Sequence, residues 1–180
     1  MIEIKECHFE AFTVIGLVGD DSAGPGFIGK LWQDINTKGK SIMHLAKKDE
    51  DGQIMGAWGL MNDETLSFLP PGQKSAKTIY MAGIETEDNA RPPKGFTRWV
   101  VPESDYLYAP AGQNKLDTIK SILRYAGENE WVPASCAFDF MPPDSNGEMY
   151  LFLPVKKACC GGKGIFFRKP LLLPLGNMVG

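Results

Sequence analysis

The stretch that decides the fold covers residues 135–155 and reads SCAFDFMPPDSNGEMYLFLPV. Two runs of apolar and aromatic residues are separated by Pro, Asp, Ser, Asn and Gly, which are the residues that build turns. The stretch therefore predicts two neighbouring strands joined by a turn. An acidic residue, Asp139, stands between Phe138 and Phe140 in the first strand. Where its carboxylate lies is the question on which any function depends.

A helix is predicted immediately before this strand pair. Its apolar residues recur with helical spacing on one face, and Gly127 is the expected C-cap; they are Leu116, Ile119, Ile122, Leu123 and Ala126. Residues 95–112, GFTRWVVPESDYLYAPAG, precede the helix and read as extended chain, with a bend or sheet edge at Pro102. The second half of the chain thus has the order β-α-β-β.

The first half shows the same order. Residues 2–20 are rich in strand formers, and an apolar helical face follows and ends near Gly39; its residues are Ile28, Leu31, Trp32 and Ile35. Residues 52–61 and 77–87 read as two more strands. We therefore predict an α+β fold made of a duplicated β-α-β-β repeat, about residues 2–88 and 95–157. The repeats would form one antiparallel sheet, or two half-sheets, with both helices on one face and the other face free.

The end of the chain does not fit this pattern. Residues 158–180 are first Gly-rich and then apolar, and Pro170 and Pro174 exclude a long helix. We expect one domain over residues 1–157, followed by an irregular tail. The tail segment LLLPL could cover apolar surface on this chain or on a partner. The GGKG segment lacks the spacing of a phosphate-binding loop.

Composition excludes several classes of protein. The 180 residues are 43% hydrophobic and 23% charged, as in ordinary globular domains. A net charge of −3 argues against a nucleic-acid-binding protein. The chain has no apolar run long enough for a transmembrane helix, and its start lacks the apolar core of a signal peptide. The four irregularly spaced cysteines are typical of reduced thiols, so we expect a cytoplasmic location.

Asp139 has two interpretations. Alternation along a strand sends Phe138 and Phe140 to one face and Asp139 to the other, where it could simply meet solvent. Alternatively, Asp139 lies on a pocket face with Ala137 and Met141. There it could pair with a cationic or hydrogen-bond-donating ligand, or act as a general base.

Aromatic residues are abundant in the predicted strands. They exceed what one core face requires, which leaves some for a ligand pocket. Other chemistry has little support. His8 and His44 have no metal-ligand partners at useful spacing, and Cys136 suits a core position better than a nucleophile. We expect no metal and no cofactor.

The order of several segments resembles the GyrI-like small-molecule-binding domain, which is also the effector-binding part of AraC-type and MerR-type transcription activators. The matching segments are FTVIGLVG, FIGKLWQDI, YMAGIETE, GFTRWVVPESDYLYAPAGQNKLDTIKSIL and FDFMPP…EMYLFLPV, within about residues 2–157. The resemblance implies two repeats around a cleft that takes bulky, often cationic or aromatic, compounds. It also implies that an acid on the penultimate strand, normally Glu, faces the ligand, and Asp139 matches that place.

By motif position, the resemblance assigns the ligand contacts to Asp139 and to aromatic residues, namely Tyr80, Trp99 and Tyr106, with Trp131 and Phe138 as weaker candidates. Regulators of this kind carry a helix-turn-helix, for which this sequence leaves no room, so direct DNA binding is not expected. Some relatives hydrolyse strained electrophiles with the same acid, and the shorter Asp puts that activity in question.

Three functions stay open. The first is a stand-alone binding module for an apolar or cationic small molecule. The second is a hydrolase of reactive electrophiles with Asp139 as the catalytic base. The third is an inhibitor or protein-interaction module that uses the tail. The sequence does not decide whether the chain is an enzyme or forms a homodimer.

Overall fold

The computed structural model of the protein describes residues 2–68, 77–143 and 146–158. The predicted tail lies outside these residues except for its first position, as do Cys159 and Cys160 and part of the predicted turn in residues 142–147. Among the described residues, no helix combines the length and apolarity that crossing a membrane requires.

Nine strands and two α-helices form within the described residues. The strands are β1 (Lys5–Phe9), β2 (Phe12–Asp20), β3 (Ala57–Asp63), β4 (Thr78–Thr86), β5 (Thr97–Val101), β6 (Ser104–Pro110), β7 (Trp131–Pro133), β8 (Phe138–Met141) and β9 (Tyr150–Lys157). Helix α1 spans Phe27–Lys38 and helix α2 spans Lys115–Glu128. The predicted α+β class is therefore confirmed.

All nine strands belong to one antiparallel sheet with the order β1-β6-β9-β8-β3-β4-β2-β5, and β7 extends the sheet beside β9. Strands β2, β4 and β3 are neighbours in the first half, and β6, β9 and β8 are neighbours in the second. The halves meet where β3 pairs with β8. The strand order is thus similar in the two halves, while an origin by duplication stays a prediction.

Both helices cover the same face of the sheet. Helix α1 packs on Ile15, Ala82 and Ile84 of the first half, and α2 packs on a matching set in the second half, Leu107, Leu151, Leu153 and Val155. The next residue along each strand points the other way because side chains alternate in a strand. The strip of sheet between the two helices, along β3 and β8, is where a cleft was predicted.

The opposite face of the sheet was predicted to be free, and this is wrong. It carries an aromatic cluster to which nearly every strand contributes; the buried aromatic members are Phe12, Trp58, Phe68, Trp99, Tyr106, Phe138 and Phe152. The rings of Phe9 in β1 and Trp58 in β3 lie 6.0 Å apart. Four strand spacings separate β1 from β3 in the sheet order, roughly 19 Å in a flat sheet. The sheet therefore curls around the cluster and buries its own inner face.

The ends of several helices and strands differ from the predicted ones. The extended run of residues 2–20 breaks into β1 and β2, and the break at Pro102 separates β5 from β6. Helix α2 continues through Gly127, and Asn129 is its C-cap. The three-residue β7 was not predicted because it is too short to show alternation.

Candidate functional site

The carboxylate of Asp139 lies on the helix-covered face of the sheet, at the junction of the two halves. It accepts a hydrogen bond from Tyr80 Oη at 2.7 Å on one oxygen and one from Lys115 Nζ at 3.0 Å on the other. Phe138, its neighbour along β8, belongs to the aromatic cluster on the opposite face. The alternation that favoured the solvent interpretation therefore holds, but the face that Asp139 occupies lies beneath the helices.

Tyr80 reaches Asp139 across an intervening strand. Tyr80 lies on β4 opposite Met61 of β3, and Asp139 lies on β8 opposite Gly59 of β3. A Cβ atom on Gly59 would stand 1.8 Å from the Tyr80 hydroxyl oxygen and 2.9 Å from Asp139 Cβ. The hydrogen bond thus exists because residue 59 has no side chain.

The Tyr80 phenol is the hydrogen-bond donor to Asp139 at all ordinary pH values. Burial first, and then the neighbouring Asp139 charge, raises the pKa of Tyr80 well above its usual value. Its oxygen in turn accepts a hydrogen bond of 3.0 Å from Trp32 Nε1. Trp32, Tyr80 and Asp139 form a chain of hydrogen bonds in which each donor points toward the carboxylate, and such chains strengthen their members.

The two helices supply the flanking groups. Trp32 belongs to the apolar face of α1 that was recognised in the sequence, and it packs beside Tyr80. Lys115 is the first residue of α2, directly after the N-cap residue Asn114, whose side chain accepts a hydrogen bond from the Leu116 amide. The cap fixes where α2 begins, so it also fixes the place from which Lys115 extends to Asp139.

The site combines an enclosed anion with a more accessible cation. The Asp139 side chain is 12% exposed, whereas the Lys115 side chain is 43% exposed. A carboxylate removed from water is costly unless it is paired and hydrogen-bonded, and here both oxygens have partners. Because Lys115 lies on the solvent side of the pair, a cation that approached Asp139 from solvent would compete with Lys115.

The side chains of the other predicted site residues do not contact the Asp139 carboxylate. Trp99, Tyr106 and Phe138 are buried members of the aromatic cluster on the opposite face of the sheet. Trp131 lies in β7, where its Nε1 donates to Glu6 at 3.2 Å and Lys157 Nζ sits 3.7 Å above its ring. Of the five aromatic candidates, Tyr80 is the one that contacts Asp139.

Sequence reasoning did not assign Trp32 or Lys115 to the site. Trp32 had a usable signal, because an aromatic residue on the inner face of the first helix must point at the sheet. Lys115 had no such signal, because a lysine at the start of a helix is usually solvated. Its role depends on the position of α2 over β8, which no local pattern gives.

The described cysteines are poor nucleophiles. Burial raises the pKa of Cys7 and of Cys136 to about 11, and nearby Asp105 and Asp63 add to the respective shifts. Both thiols therefore stay protonated near neutral pH. Cys136 is half-buried, whereas the sequence suggested a core position.

A second buried acid, Glu85, lies in β4. Its carboxylate accepts a hydrogen bond from Trp58 Nε1 at 3.2 Å and pairs with Lys47 Nζ at 3.3 Å. Glu85 ties the aromatic cluster to the chain between α1 and β3. This is a structural arrangement in which both carboxylate oxygens are satisfied.

No protein-family model matches the sequence, and no curated protein matches it either. Solved structures do match the fold. The structure of SAV2435 bound to tetraphenylphosphonium has a TM-score of 0.59 and 16% identity, covering 86% of this chain and 94% of the other. The EcmrR C-terminal domain has a TM-score of 0.60 and 10% identity, covering 88% and 99%. A hydrolase from Listeria innocua has a TM-score of 0.52 and 9% identity, covering 86% and 92%.

The chain therefore shares its fold with SAV2435 and with the EcmrR C-terminal domain, and this supports the GyrI-like fold that the sequence resemblance implies. At these levels of identity the likeness establishes the fold and leaves the ligand to be inferred from the site.

Proposed function

We propose that the protein is a binding module for a bulky apolar or cationic small molecule. The ligand lies between α1 and α2, and a cationic ligand places its charge toward Asp139. The observation that carries the proposal is the enclosed Asp139 carboxylate, held by Tyr80 and paired on its open side with Lys115. A fixed anion of this kind favours any cation that can reach it.

In this proposal the ligand takes the place of the Lys115 ammonium group. Lys115 extends from the first turn of a helix, and much of its side chain is exposed, so it can turn into solvent without disturbing the sheet. Binding then exchanges one ion pair for another, and Asp139 is never left uncompensated. The exchange makes Lys115 a competitor of the ligand.

The half-buried ring of Trp32 beside the site supports a lipophilic cation rather than a small hydrated one. Tyr80 contacts the carboxylate but is buried, and the half-buried Trp32 contacts the Tyr80 oxygen. Aromatic faces such as that of Trp32 attract organic cations. The similarly folded SAV2435 was solved with tetraphenylphosphonium, which is a bulky cation surrounded by phenyl rings. This compound is therefore the first probe to use.

The test is a calorimetric titration of the protein with tetraphenylphosphonium. Asp139→Asn keeps the shape of the side chain but removes the charge, and we expect it to weaken binding at least tenfold. Lys115→Met removes the competitor, and we expect it to strengthen binding severalfold. The two substitutions thus act in opposite directions, which a general loss of structure cannot produce.

Matched controls exist on helix α1. Lys38 and Asp34 form an ion pair within that helix, with 3.8 Å between their charged atoms. Lys38→Met and Asp34→Asn repeat the two charge changes without altering the start of α2 and should leave the affinity unchanged. Equal affinities of the wild type, Asp139→Asn and Lys115→Met would refute the proposal.

A hydrolase is the second candidate. The observation that favours it is the protonated Tyr80 beside the Asp139 carboxylate, because a base paired with a proton donor suits the addition of water to a strained electrophile. The likeness to the Listeria innocua hydrolase supports this candidate at the level of fold. Hydrolysis of styrene oxide that Asp139→Asn abolishes would favour the enzyme; no turnover by the wild type would exclude this substrate.

A further inference from the structure

A groove opens at one end of the aromatic cluster, on the face of the sheet opposite Asp139. Its volume is about 330 Å³, and we call it the tyrosine groove after Tyr108 and Tyr150, which line it. Lys5 also lines the groove and pairs with Tyr108 across β1 and β6. Because alternate residues of a strand share a face, Lys5 lies on the same side of the sheet as Phe9, which packs against the aromatic cluster.

The two tyrosine rings form fixed walls. Tyr108 stacks on the buried Phe152 with 4.7 Å between the ring centroids and 2° between the ring planes, so the aromatic cluster holds the Tyr108 ring in place. The Tyr150 ring lies 6.4 Å from that of Tyr108 at an angle of 54°. Both tyrosines are half-buried, so part of each ring faces the groove. Such walls suit another aromatic ring, because rings attract one another at these distances and angles.

Two opposite charges line the same groove. They belong to Lys5 and Glu3, whose charged atoms lie 4.0 Å apart. This distance is longer than a hydrogen bond, so each group keeps the capacity for a further partner. The two side chains are 55% and 79% exposed, and an ion pair as exposed as this one adds little to stability.

The charge pair favours a ligand that carries both signs. An anionic ligand would be attracted by Lys5 and repelled by Glu3, and a cationic ligand would meet the reverse. A zwitterion with adjacent charges can pair with both residues at once. Its two charges then replace the long contact between Lys5 and Glu3 with two closer ones.

We propose that the tyrosine groove binds a free aromatic amino acid. The ring lies against Tyr108 and Tyr150, the carboxylate pairs with Lys5, and the ammonium group pairs with Glu3. One carbon atom carries both charged groups of an α-amino acid, so they are neighbours as the two protein charges are. The volume of the groove falls at the lower end of the range for ligand pockets, roughly 300–1,000 Å³. The site is independent of the function proposed for Asp139, since it lies on the opposite face of the sheet.

The experiment is a titration of isotope-labelled protein with L-tryptophan, followed by the backbone amide shifts of Lys5, Tyr108 and Gly112, which all line the groove. Three comparison ligands each lack one part of tryptophan. Tryptamine lacks the carboxylate, indole-3-propionate lacks the ammonium group, and L-alanine lacks the ring. We expect tryptophan to bind at least threefold more tightly than tryptamine or indole-3-propionate, and at least tenfold more tightly than alanine.

Two substitutions should divide these preferences between them. Lys5→Met should abolish the preference for tryptophan over tryptamine and keep the preference over indole-3-propionate. Glu3→Gln should do the reverse, a crossed pattern that a general loss of structure cannot produce. Lys156→Met is the matched control, because Lys156 is exposed and lies at the other end of β9 from Tyr150; it should keep both preferences.

Three results would overturn the proposal. Equal affinities of the wild type for tryptophan, tryptamine and indole-3-propionate would show that ring contact alone accounts for binding. Unchanged preferences in both Lys5→Met and Glu3→Gln would show that these charges do not contact the ligand. An absence of shifts at the groove, including the case in which shifts centre on Tyr80 and Asp139 instead, would reject the site itself.

Discussion

At the scale of single residues, the site depends on Asp139 and on a neighbour with no side chain. Strand alternation already separated Asp139 from Phe138 and Phe140. Gly59 then lets Tyr80 cross β3 and donate to the carboxylate. A glycine within a strand weakens the strand, and a close approach of this kind is a common reason for its presence.

Gly59→Ala should therefore destabilise the protein. The added methyl group meets the Tyr80 hydroxyl, so the phenol must leave Asp139 or the strands must separate. Overpacking of this kind costs about 1–3 kcal/mol, measurable by urea denaturation. The control is Gly127→Ala in α2, where a Cβ atom meets nothing within 4 Å; it should stabilise by about 0.5–1 kcal/mol. A Gly59→Ala protein as stable as the wild type would show that the Tyr80–Asp139 contact is unimportant.

At the scale of elements, short strands and helix ends position the functional groups. The N-cap at Asn114 determines where Lys115 lies, and the break at Pro102 lets β6 pair with β1. In that pairing His8 stands directly opposite Asp105, and its Nδ1 atom lies 2.9 Å from the carboxylate. The pairing of β1 with β6 thus contains a titratable contact.

This contact should make the β1–β6 pairing depend on pH. The hydrogen bond to Asp105 raises the pKa of His8 above 6.5, and the nearby charges of Asp105, Glu103 and Glu10 add to the effect. The contribution to stability is therefore complete below the unfolded-state pKa of about 6.5 and is lost as the pH rises through the higher folded-state value.

Asp105→Asn should lower the titration midpoint of His8, followed through its imidazole protons by NMR. Asp117→Asn, a change of equal charge at a residue that is not among those raising the His8 pKa, serves as the comparison and should leave the midpoint unchanged. If both variants titrate like the wild type, the Asp105 contact does not govern the ionisation of His8.

At the scale of the whole molecule, the curled sheet is the feature that separates the aromatic cluster from the face that carries Asp139. The aromatic cluster fills the inside of the curl, and the helices cover the outside. Phe9 closes the curl: its ring lies 5.3–6.1 Å from the rings of four others, Phe12, Trp58, Tyr106 and Phe152. These partners come from four different strands.

Phe9→Ala should therefore weaken the whole fold rather than β1 alone. The expected loss is about 3 kcal/mol in the free energy of unfolding, with one cooperative transition by fluorescence and by circular dichroism. Val100→Ala on β5 removes apolar atoms from a side chain in an exposed position and should change stability by about 0.5 kcal/mol or less. A local change confined to β1, with global stability retained, would contradict the role assigned to Phe9.

The sequence by itself determined the class of the fold and most of its elements. Both helices follow from apolar residues at helical spacing, and the longer strands follow from runs of strand formers between turn residues, because these patterns are local. The separation of the Asp139 side chain from those of Phe138 and Phe140 also follows from local alternation. The inward orientation of Trp32 follows from the helical spacing of the apolar residues in the first helix.

Only the tertiary structure decided what surrounds Asp139. Its partners Tyr80 and Lys115 are 59 and 24 residues away in sequence, and they meet because β3 and β8 pair while both helices cover the same face. The curl of the sheet likewise turned Trp99, Tyr106 and Phe138 from candidate ligand contacts at Asp139 into members of an interior cluster. Curl and helix placement arise from packing between distant segments, which the pattern within any one segment does not specify.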